Sequence, residues 1–272
     1  EKSGALAGLP RVQGFTQDDA HVFCPPEQLV DEINAIIDFV ADTMAIFKMD
    51  FEVELSTRPE SYVGELENWN RAEAGLKEAM DRRGMKYEIN EGDGAFYGPK
   101  IDFKVKDAIG RTWQCATIQL DFNLPERFDI KYQDKDGLMK TPVMLHRVIF
   151  GSMERFHGIL IEHYAGAFPL WLAPTQVAVV PITEKHADYA EKVYKKLFAD
   201  GIRVNLDDRS ESVNYKIREA IQDKKVPYVV VVGDKEIESG SVAVRKRGEG
   251  PIGTFKLDEF AEKLKQEIKD RV

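Results

Sequence analysis

Between positions 11 and 23 the chain reads Arg-Val-Gln-Gly-Phe-Thr-Gln-Asp-Asp-Ala-His-Val-Phe, and every second residue is of a type that can bind or react. Alternate side chains of a strand share a face, so Gln13, Phe15, Gln17, Asp19, His21 and Phe23 fall together. An aromatic ring, an amide, a carboxylate and an imidazole in one row suit the floor of a polar pocket. A solvated edge strand would show the same alternation, so the pattern alone admits both readings. His146 closes a second strand-like run, Val143-Met-Leu-His. Two imidazoles with a carboxylate nearby make a partial donor set for Zn²⁺. Cys24, three residues beyond His21, falls on the opposite face of the strand and is a poor third ligand. Arg155 stands in the first turn of a helix that opens at Ser152, a natural N-cap. The helix macrodipole already places positive charge there, so an arginine gains little unless it meets a phosphate or a purine ring. Glu91-Gly-Asp-Gly-Ala-Phe-Tyr-Gly98 carries three glycines in eight residues. That loop lets backbone or Tyr97 approach a ligand closely, or simply builds a turn.

These residues need elements to hold them. The run 11–23 is predicted as one strand, followed by a helix from Pro25-Pro26 to about residue 46 or 47. Further strands are expected at 51–56, 99–105, 112–122 and 143–146, and a helix at 68–83 closed by Gly84. Gln114 and Gln119 are an odd number of positions apart, so they face opposite sides of a regular strand unless a bulge intervenes. The helix after Ser152 is expected to bury Met153, Phe156, Leu160 and Tyr164. Strands joined by turns indicate an antiparallel sheet. Trp171-Leu-Ala-Pro174 reads as a linker. Beyond it, apolar strands at 177–182, 202–206, 228–232 and 241–245 alternate with helices at 186–198, 213–222 and 257–268. That alternation implies a mostly parallel sheet covered on both faces. The fold class is therefore α+β, with one domain over residues 1–172 and an α/β domain over 173–272. No glycine fingerprint of the dinucleotide kind is present.

Composition narrows the class. The 272 residues suffice for two cores. Net charge is −9, with pI near 5.2, distributed as about −10 before residue 173 and about +1 after it. No general basic field exists to attract nucleic acid, so any such contact needs local Lys/Arg groups, and the second domain is the better candidate. Two cysteines form no disulfide framework and fit a reducing, cytoplasmic setting. No run approaches a membrane span, and no signal-peptide pattern opens the chain. The small, Gly-rich residues 1–10 read as the middle of a loop, so an upstream segment is expected.

Taken together, Arg11, Phe15, Gln17-Asp-Asp-Ala-His21, Gly-Ala-Phe-Tyr97-Gly-Pro-Lys100, Trp113-Gln-Cys115, Gln-Leu-Asp-Phe122, His146-Arg and Gly-Ser-Met-Glu-Arg155-Phe resemble the threonyl-tRNA synthetase family of class II aminoacyl-tRNA synthetases. The likeness covers essentially the whole chain, from motif 2 through motif 3 and an anticodon-binding domain, and it implies a class II antiparallel sheet, incomplete at its N-terminus. It implies that Glu1 accepts from the adenine amino group, that Phe15 and Arg155 sandwich the purine, that Arg11 binds the γ-phosphate and that Gln114 lies by the nucleotide. Arg11, Arg155 and Lys100 would act in catalysis, and Gln17, Asp19, Tyr97 and Gln119 would surround threonine. His21 and His146 would ligate Zn²⁺, whose open positions take the amino group and hydroxyl of threonine, with a cysteine ligand expected upstream. ATP with Mg²⁺, L-threonine and tRNA(Thr) are the implied substrates, a homodimer the implied assembly, and no membrane partner is implied. Arg218, Glu236 and Arg245 would read anticodon bases.

Some positions depart from the family pattern. Pro10 stands beside Arg11, Gln13 replaces an expected second arginine, and Ser210 stands where an asparagine is usual. Motif 1, the first motif 2 arginine, the zinc cysteine and a histidine linked to tRNA transfer would all lie upstream. The alternative to an active ligase is a non-catalytic, synthetase-like module that binds tRNA or nucleotide. Retention of Arg11, Asp19, His21, His146 and Arg155 favours the enzyme.

Overall fold

The computed structural model of the protein describes residues 4–271. Its packing divides the chain into two compact units, with the division between His163 and Tyr164.

The first unit contains β1 (Ala20–Cys24), α1 (Leu29–Ile46), β2 (Phe51–Ser56), α2 (Leu66–Arg82), β3 (Glu88–Asn90), β4 (Lys100–Lys106), β5 (Thr112–Asp121), α3 (Asn123–Arg127), β6 (Tyr132–Gln133), β7 (Met139–Lys140), β8 (Val143–Val148) and α4 (Met153–His163). Six strands form one sheet in the order β1-β8-β5-β4-β2-β3. All neighbours run antiparallel except β2 and β3, which pair in parallel because α2 carries the chain back across the sheet. The sheet is two-faced. Ile101, Phe103, Val105, Ile118, Leu120 and Leu145 are buried, and α1 and α2, which pack on each other, cover that side through β5. Both helices present apolar residues at helical spacing, Ile33, Ile37, Val40 and Met44 from α1 and Trp69, Leu76 and Met80 from α2. The opposite face carries polar side chains.

The long strand expected over 11–23 is shorter than its alternation implied. Only Ala20–Cys24 is strand, and among the described residues the backbone of residues 11–19 pairs in ladder fashion only at the isolated bridges Ala7–Arg11 and Gln17–Ser152. Side chains, and not a neighbouring strand, supply much of the hydrogen bonding of that stretch, as described below.

The second unit contains β9 (Val177–Pro181), α5 (Ala187–Ala199), β10 (Val204–Leu206), α6 (Val213–Arg218), β11 (Tyr228–Val232), α7 (Asp234–Ser239), β12 (Ser241–Lys246), β13 (Gly250–Lys256) and α8 (Leu257–Lys269). The sheet order is β10-β9-β11-β12-β13. The β10-β9-β11 part is parallel, but β12 and β13 are antiparallel to their neighbours, so the sheet is mixed and not mostly parallel. The expectation missed β13, whose Gly250, Gly253 and Pro251 look like a loop, and α7, whose six residues are too few to show a period. Central β9 is buried along its length, with Val177 and Val179 in one core and Ala178 and Val180 in the other. Such a strand shows no alternation because both faces are covered. Among the described residues no helix is long and apolar enough to cross a membrane.

The segment before β9 belongs to this second core. Leu170 is buried in it, its carbonyl accepts from Gln176 Nε2 at 2.8 Å, and Arg247 Nη2 donates to the carbonyls of Ala167 and Phe168 at 2.8 and 2.7 Å. We propose that residues 173–272 fold alone and that residues 164–272 fold more stably. Restoring Leu170 and these hydrogen bonds is expected to add about 2 kcal/mol, read as a higher urea midpoint. Equal midpoints, or no cooperative transition for residues 173–272, would count against this division.

Candidate functional site

The polar face of the first sheet owes its composition to a bulge. Asp102 pairs with Thr117 and Lys104 with Gln114, so Cys115 and Ala116 together stand opposite Phe103. The extra residue shifts the parity of β5, and Gln114, Thr117 and Gln119 emerge on one side. Two adjoining hollows of about 380 and 240 Å³ lie there. Arg11, Phe15, Gly151 and Arg155 line the first; Asp19, Tyr97, Gln119 and His146 line the second; Gln17, Gln114, Thr117 and Val148 line both.

Beneath the floor lies Asp102, with no exposed surface. Its Oδ1 accepts from Gln114 Nε2 at 2.6 Å and Thr117 Oγ1 at 3.1 Å, and its Oδ2 accepts from Ser56 Oγ at 2.8 Å. Lys100 Nζ lies 2.8 Å from the same Oδ2. A buried carboxylate is tolerated when its acceptor positions are met, and here they are.

The irregular stretch before β1 is pinned where β8 turns into α4. Asp18 accepts from the backbone of Ile149 at 2.8 Å and Phe150 at 3.0 Å, while Arg147 Nη1 donates to Asp18 O at 3.1 Å. Glu154 accepts from Thr16 N through both carboxylate oxygens at 3.1–3.2 Å and from Ser152 Oγ at 3.0 Å. Hydrogen bonds from its own backbone N–H, from Thr16 N and from Ser152 hold its carboxyl below the usual range despite partial desolvation. Ser152 caps α4, accepting from Arg155 N at 3.2 Å. Gly151 makes the turn possible: its φ is +69°, and a Cβ there would meet Cys115 O at 2.5 Å. Arg155 then crosses the cleft edge, its Nε donating to Pro10 O at 2.9 Å and its Nη1 to Gln114 O at 3.0 Å, with the guanidinium over the Trp113 ring at 5.4 Å. Phe15 is 57% exposed and lines the same hollow.

At the other end, His21 and His146 are direct cross-strand partners with ring centroids 4.6 Å apart. His146 Nε2 lies 3.0 Å from Asp121 Oδ2, and Asp121 is fully buried. Asp19 Oδ2 is 3.8 Å from His21 Nε2. Tyr97 OH donates to Gln119 Oε1 at 2.7 Å. Burial, with Asp121 and Asp19 nearby, pushes its phenol above the ordinary range, so the phenol keeps its proton. Among the described residues no group of three or more His, Cys, Asp or Glu is placed to hold a metal. The two imidazoles with a carboxylate behind one of them do fit half of a zinc site, because a ligating histidine is commonly oriented by such a partner.

Several expected residues sit elsewhere. Lys100 does not line the cleft; it is buried beside Asp102, with Asp93 Oδ2 3.4 Å away. Glu1 lies outside the described residues. Cys24 and Cys115 are buried and unbridged. Burial, with Glu32 and Glu27 adding to it, pushes Cys24 up to about 11, and burial raises Cys115 to about 12 against the pull of Arg155. Of the expected helix face after Ser152, Phe156 and Leu160 are buried, whereas Met153 and Tyr164 are half-buried. In the second unit Arg218 is exposed, its guanidinium 5.6 Å from the Tyr215 ring centroid. Glu236 Oε2 caps α7 by accepting from Gly233 N at 2.9 Å. Arg245 Nε is buried without a hydrogen-bond partner among the described residues. Ser210 lines a hollow with Asp208, Arg209 and Lys216. Asp18, Asp102, Thr117, Asp121 and Glu154 have no role assigned from sequence. Asp102 had a signal, a charge within the apolar strand 99–105; the others look like ordinary surface residues until their partners are known.

Residues 1–164 match the family model for the tRNA synthetase class II core domain (G, H, P, S and T), and residues 176–267 match that for the anticodon binding domain. The threonine–tRNA ligase of Carboxydothermus hydrogenoformans is 58% identical over 271 residues, which is 100% of this chain and 43% of that protein. That of Clostridium tetani is 58% identical over 272 residues, 100% of this chain and 42% of that protein. The chain thus spans less than half the length of these curated relatives. The crystal structure of the RNA binding domain of threonyl-tRNA synthetase from Cryptosporidium parvum is 42% identical, with a TM-score of 0.93, over 98% of this chain and 67% of that one.

Gly151→Ala is expected to destabilise the first unit by at least about 2 kcal/mol, since a left-handed residue is strained and its Cβ would collide with backbone. Thermal unfolding measures it. An unchanged Tm would mean that the β8–α4 turn can re-form without the left-handed residue.

Proposed function

We propose that this chain, which belongs to the class II tRNA synthetases of the G, H, P, S and T group, carries the amino-acid activation cleft and the anticodon-binding domain of a threonine–tRNA ligase. The observation that carries this reading is a single cleft with two chemically distinct ends. One end has Phe15, Arg11 and Arg155, and the other has Asp19, Tyr97, Gln119 and His146. Close identity to curated threonine–tRNA ligases supports the choice of amino acid.

ATP, with Mg²⁺, occupies the first end. The adenine lies between the Phe15 ring and the Arg155 guanidinium, an arrangement favoured by stacking and cation–π attraction, and Glu1 accepts from its amino group. Arg11 neutralises the γ-phosphate. Threonine lies at the second end, with its carboxylate toward the nucleotide. The carboxylate attacks the α-phosphate, pyrophosphate leaves, and the resulting mixed anhydride passes its acyl group to the 3′ end of tRNA(Thr). No side chain forms a covalent bond, so the cleft acts by positioning and by stabilising charge. Lys100 acts from beneath the floor, through Asp102. His21 and His146, the latter oriented by Asp121, would hold Zn²⁺, which when bound supplies a Lewis acid that separates a hydroxyl from the methyl of valine. Asp19 accepts from the threonine hydroxyl, and Gln17, Tyr97 and Gln119 complete the enclosure. Arg218, Glu236 and Arg245 contact anticodon bases. The proposed setting is a cytoplasmic homodimer, and two buried, unbridged cysteines agree with a reducing compartment.

Asp19→Asn in the enzyme that carries this chain is expected to lower threonine-dependent ATP–pyrophosphate exchange tenfold to a hundredfold, the loss of roughly 1.5–3 kcal/mol for a charged hydrogen bond, with KM for ATP unchanged. Undiminished threonine activation, or a parent enzyme that accepts valine, would contradict the role of Asp19. Arg245→Ala is expected to raise KM for tRNA in aminoacylation at least about tenfold, as loss of a base contact does, and to leave pyrophosphate exchange alone. A fall in exchange equal to the fall in aminoacylation would remove Arg245 from the anticodon surface.

A further inference from the structure

Asp102 does more than fill a buried position. Its oxygens accept from Gln114 Nε2, Thr117 Oγ1 and Ser56 Oγ, and Lys100 Nζ forms an ion pair with Oδ2 at 2.8 Å. A carboxylate ringed by donors has no acceptor for a proton of its own, so each neighbour must turn a hydrogen toward it. For Gln114 this settles which end of the amide faces inward. Its NH₂ meets Asp102, and also Thr117 Oγ1 at 2.8 Å, so both amide hydrogens have partners and Oε1 is the group left to the cleft. Thr117 gives its hydroxyl hydrogen to Asp102 and one lone pair to Gln114, leaving a second lone pair. Both residues line both hollows. At the middle of the cleft these two side chains therefore present acceptors and no hydrogen to donate.

We infer that Asp102 is a positioning residue that sets the hydrogen-bond polarity of the cleft centre, so that Gln114 and Thr117 accept from a ribose hydroxyl of the nucleotide. The inference rests on the ATP site proposed above. Between a base held at Phe15 and Arg155 and an amino acid held near Asp19, the part of the nucleotide at the centre is ribose and phosphate. Phosphate oxygens are acceptors and would be repelled by Oε1; the ribose hydroxyls can donate. The ammonium group of the amino acid is the other donor in reach, and the experiment separates the two.

The measurement is ATP–pyrophosphate exchange at saturating threonine with ATP, 2′-deoxy-ATP and 3′-deoxy-ATP, in the enzyme that carries this chain. The parent is expected to prefer ATP over at least one deoxy analogue by roughly tenfold or more in kcat/KM, because an acceptor left unpaired penalises the analogue. In Asp102→Asn one acceptor becomes a donor, Gln114 loses its fixed orientation, and the preference is expected to shrink to within about threefold of unity. A merely structural role would lower exchange with all three nucleotides alike and leave the ratio intact, which would overturn the inference. Should Asp102→Asn fail to fold, Gln114→Glu sets two carboxylates against each other and must collapse the ratio too; a preserved ratio there is equally fatal. If 3-hydroxybutanoate, which lacks the amine, competes worse than threonine in the parent but equally in Asp102→Asn, the group read is the ammonium and the ribose assignment falls. A parent with no threonine-dependent exchange overturns the proposed function itself, whereas an active parent with unaltered ratios in both variants overturns only Asp102.

Discussion

A carboxylate cannot lie buried within a sheet unless its surroundings answer it, and Asp102 is such a group. It sits on β4 with no exposed surface and draws Ser56 from β2, its own-strand neighbour Lys100, and Gln114 and Thr117 from β5. Satisfying it requires three strands in one register, including the bulge at Cys115 and Ala116. The cleft floor is thus a consequence of meeting one carboxylate's hydrogen-bonding demand. The bulge in turn exposes Gln114 beside Gln119 where a regular strand would have hidden one of them.

The walls depend on a second device of the same kind. Residues 11–19 have few backbone partners, yet they carry Arg11, Phe15, Gln17 and Asp19. Two carboxylates supply the missing order, Asp18 by holding the Ile149 and Phe150 amides and Glu154 by holding Thr16 N. Both act on the β8–α4 turn, which the left-handed Gly151 makes possible. The same turn starts the helix that delivers Arg155. A segment pinned at a few points, rather than zipped into a sheet, opens at a lower free-energy cost than a laddered strand.

The second unit uses other means. A central strand buried on both faces, β9, is flanked by parallel β10 and β11, and the antiparallel β12 and β13 widen the sheet. Polar groups here include capping residues such as Glu236 on α7 and the Nε of Arg245, which has no hydrogen-bond partner among the described residues. Capping takes only one oxygen of the Glu236 carboxylate, Oε2, which accepts from Gly233 N.

Much of this was legible along the chain. The apolar periods of α1, α2 and α5, the caps at Ser152 and Gly84 and the strands at 51–56 and 228–232 are local signals, carried by neighbouring residues, whereas the packing divides the chain at residues 163 and 164, ahead of the change of pattern near residue 173. The Gln-Asp-Asp-Ala-His run and the His146 and Arg155 segments carried the family resemblance. What local signals could not supply was partnership. Alternation over 11–23 resembled one strand, because a polar pocket wall and a strand face share a period of two; the side-chain anchors that replace a ladder there come from residues about 130 positions away. The bulge in β5 exists only against β4, so the spacing of Gln114 and Gln119 cannot reveal it. Lys100 was expected in the cleft and lies under it, since its counter-charge is set by sheet register. Residue types and spacing specified which chemistry was available, and the tertiary structure decided which groups face the cleft, because burial forces each hydrogen-bonding group to find a partner that only the folded chain brings near.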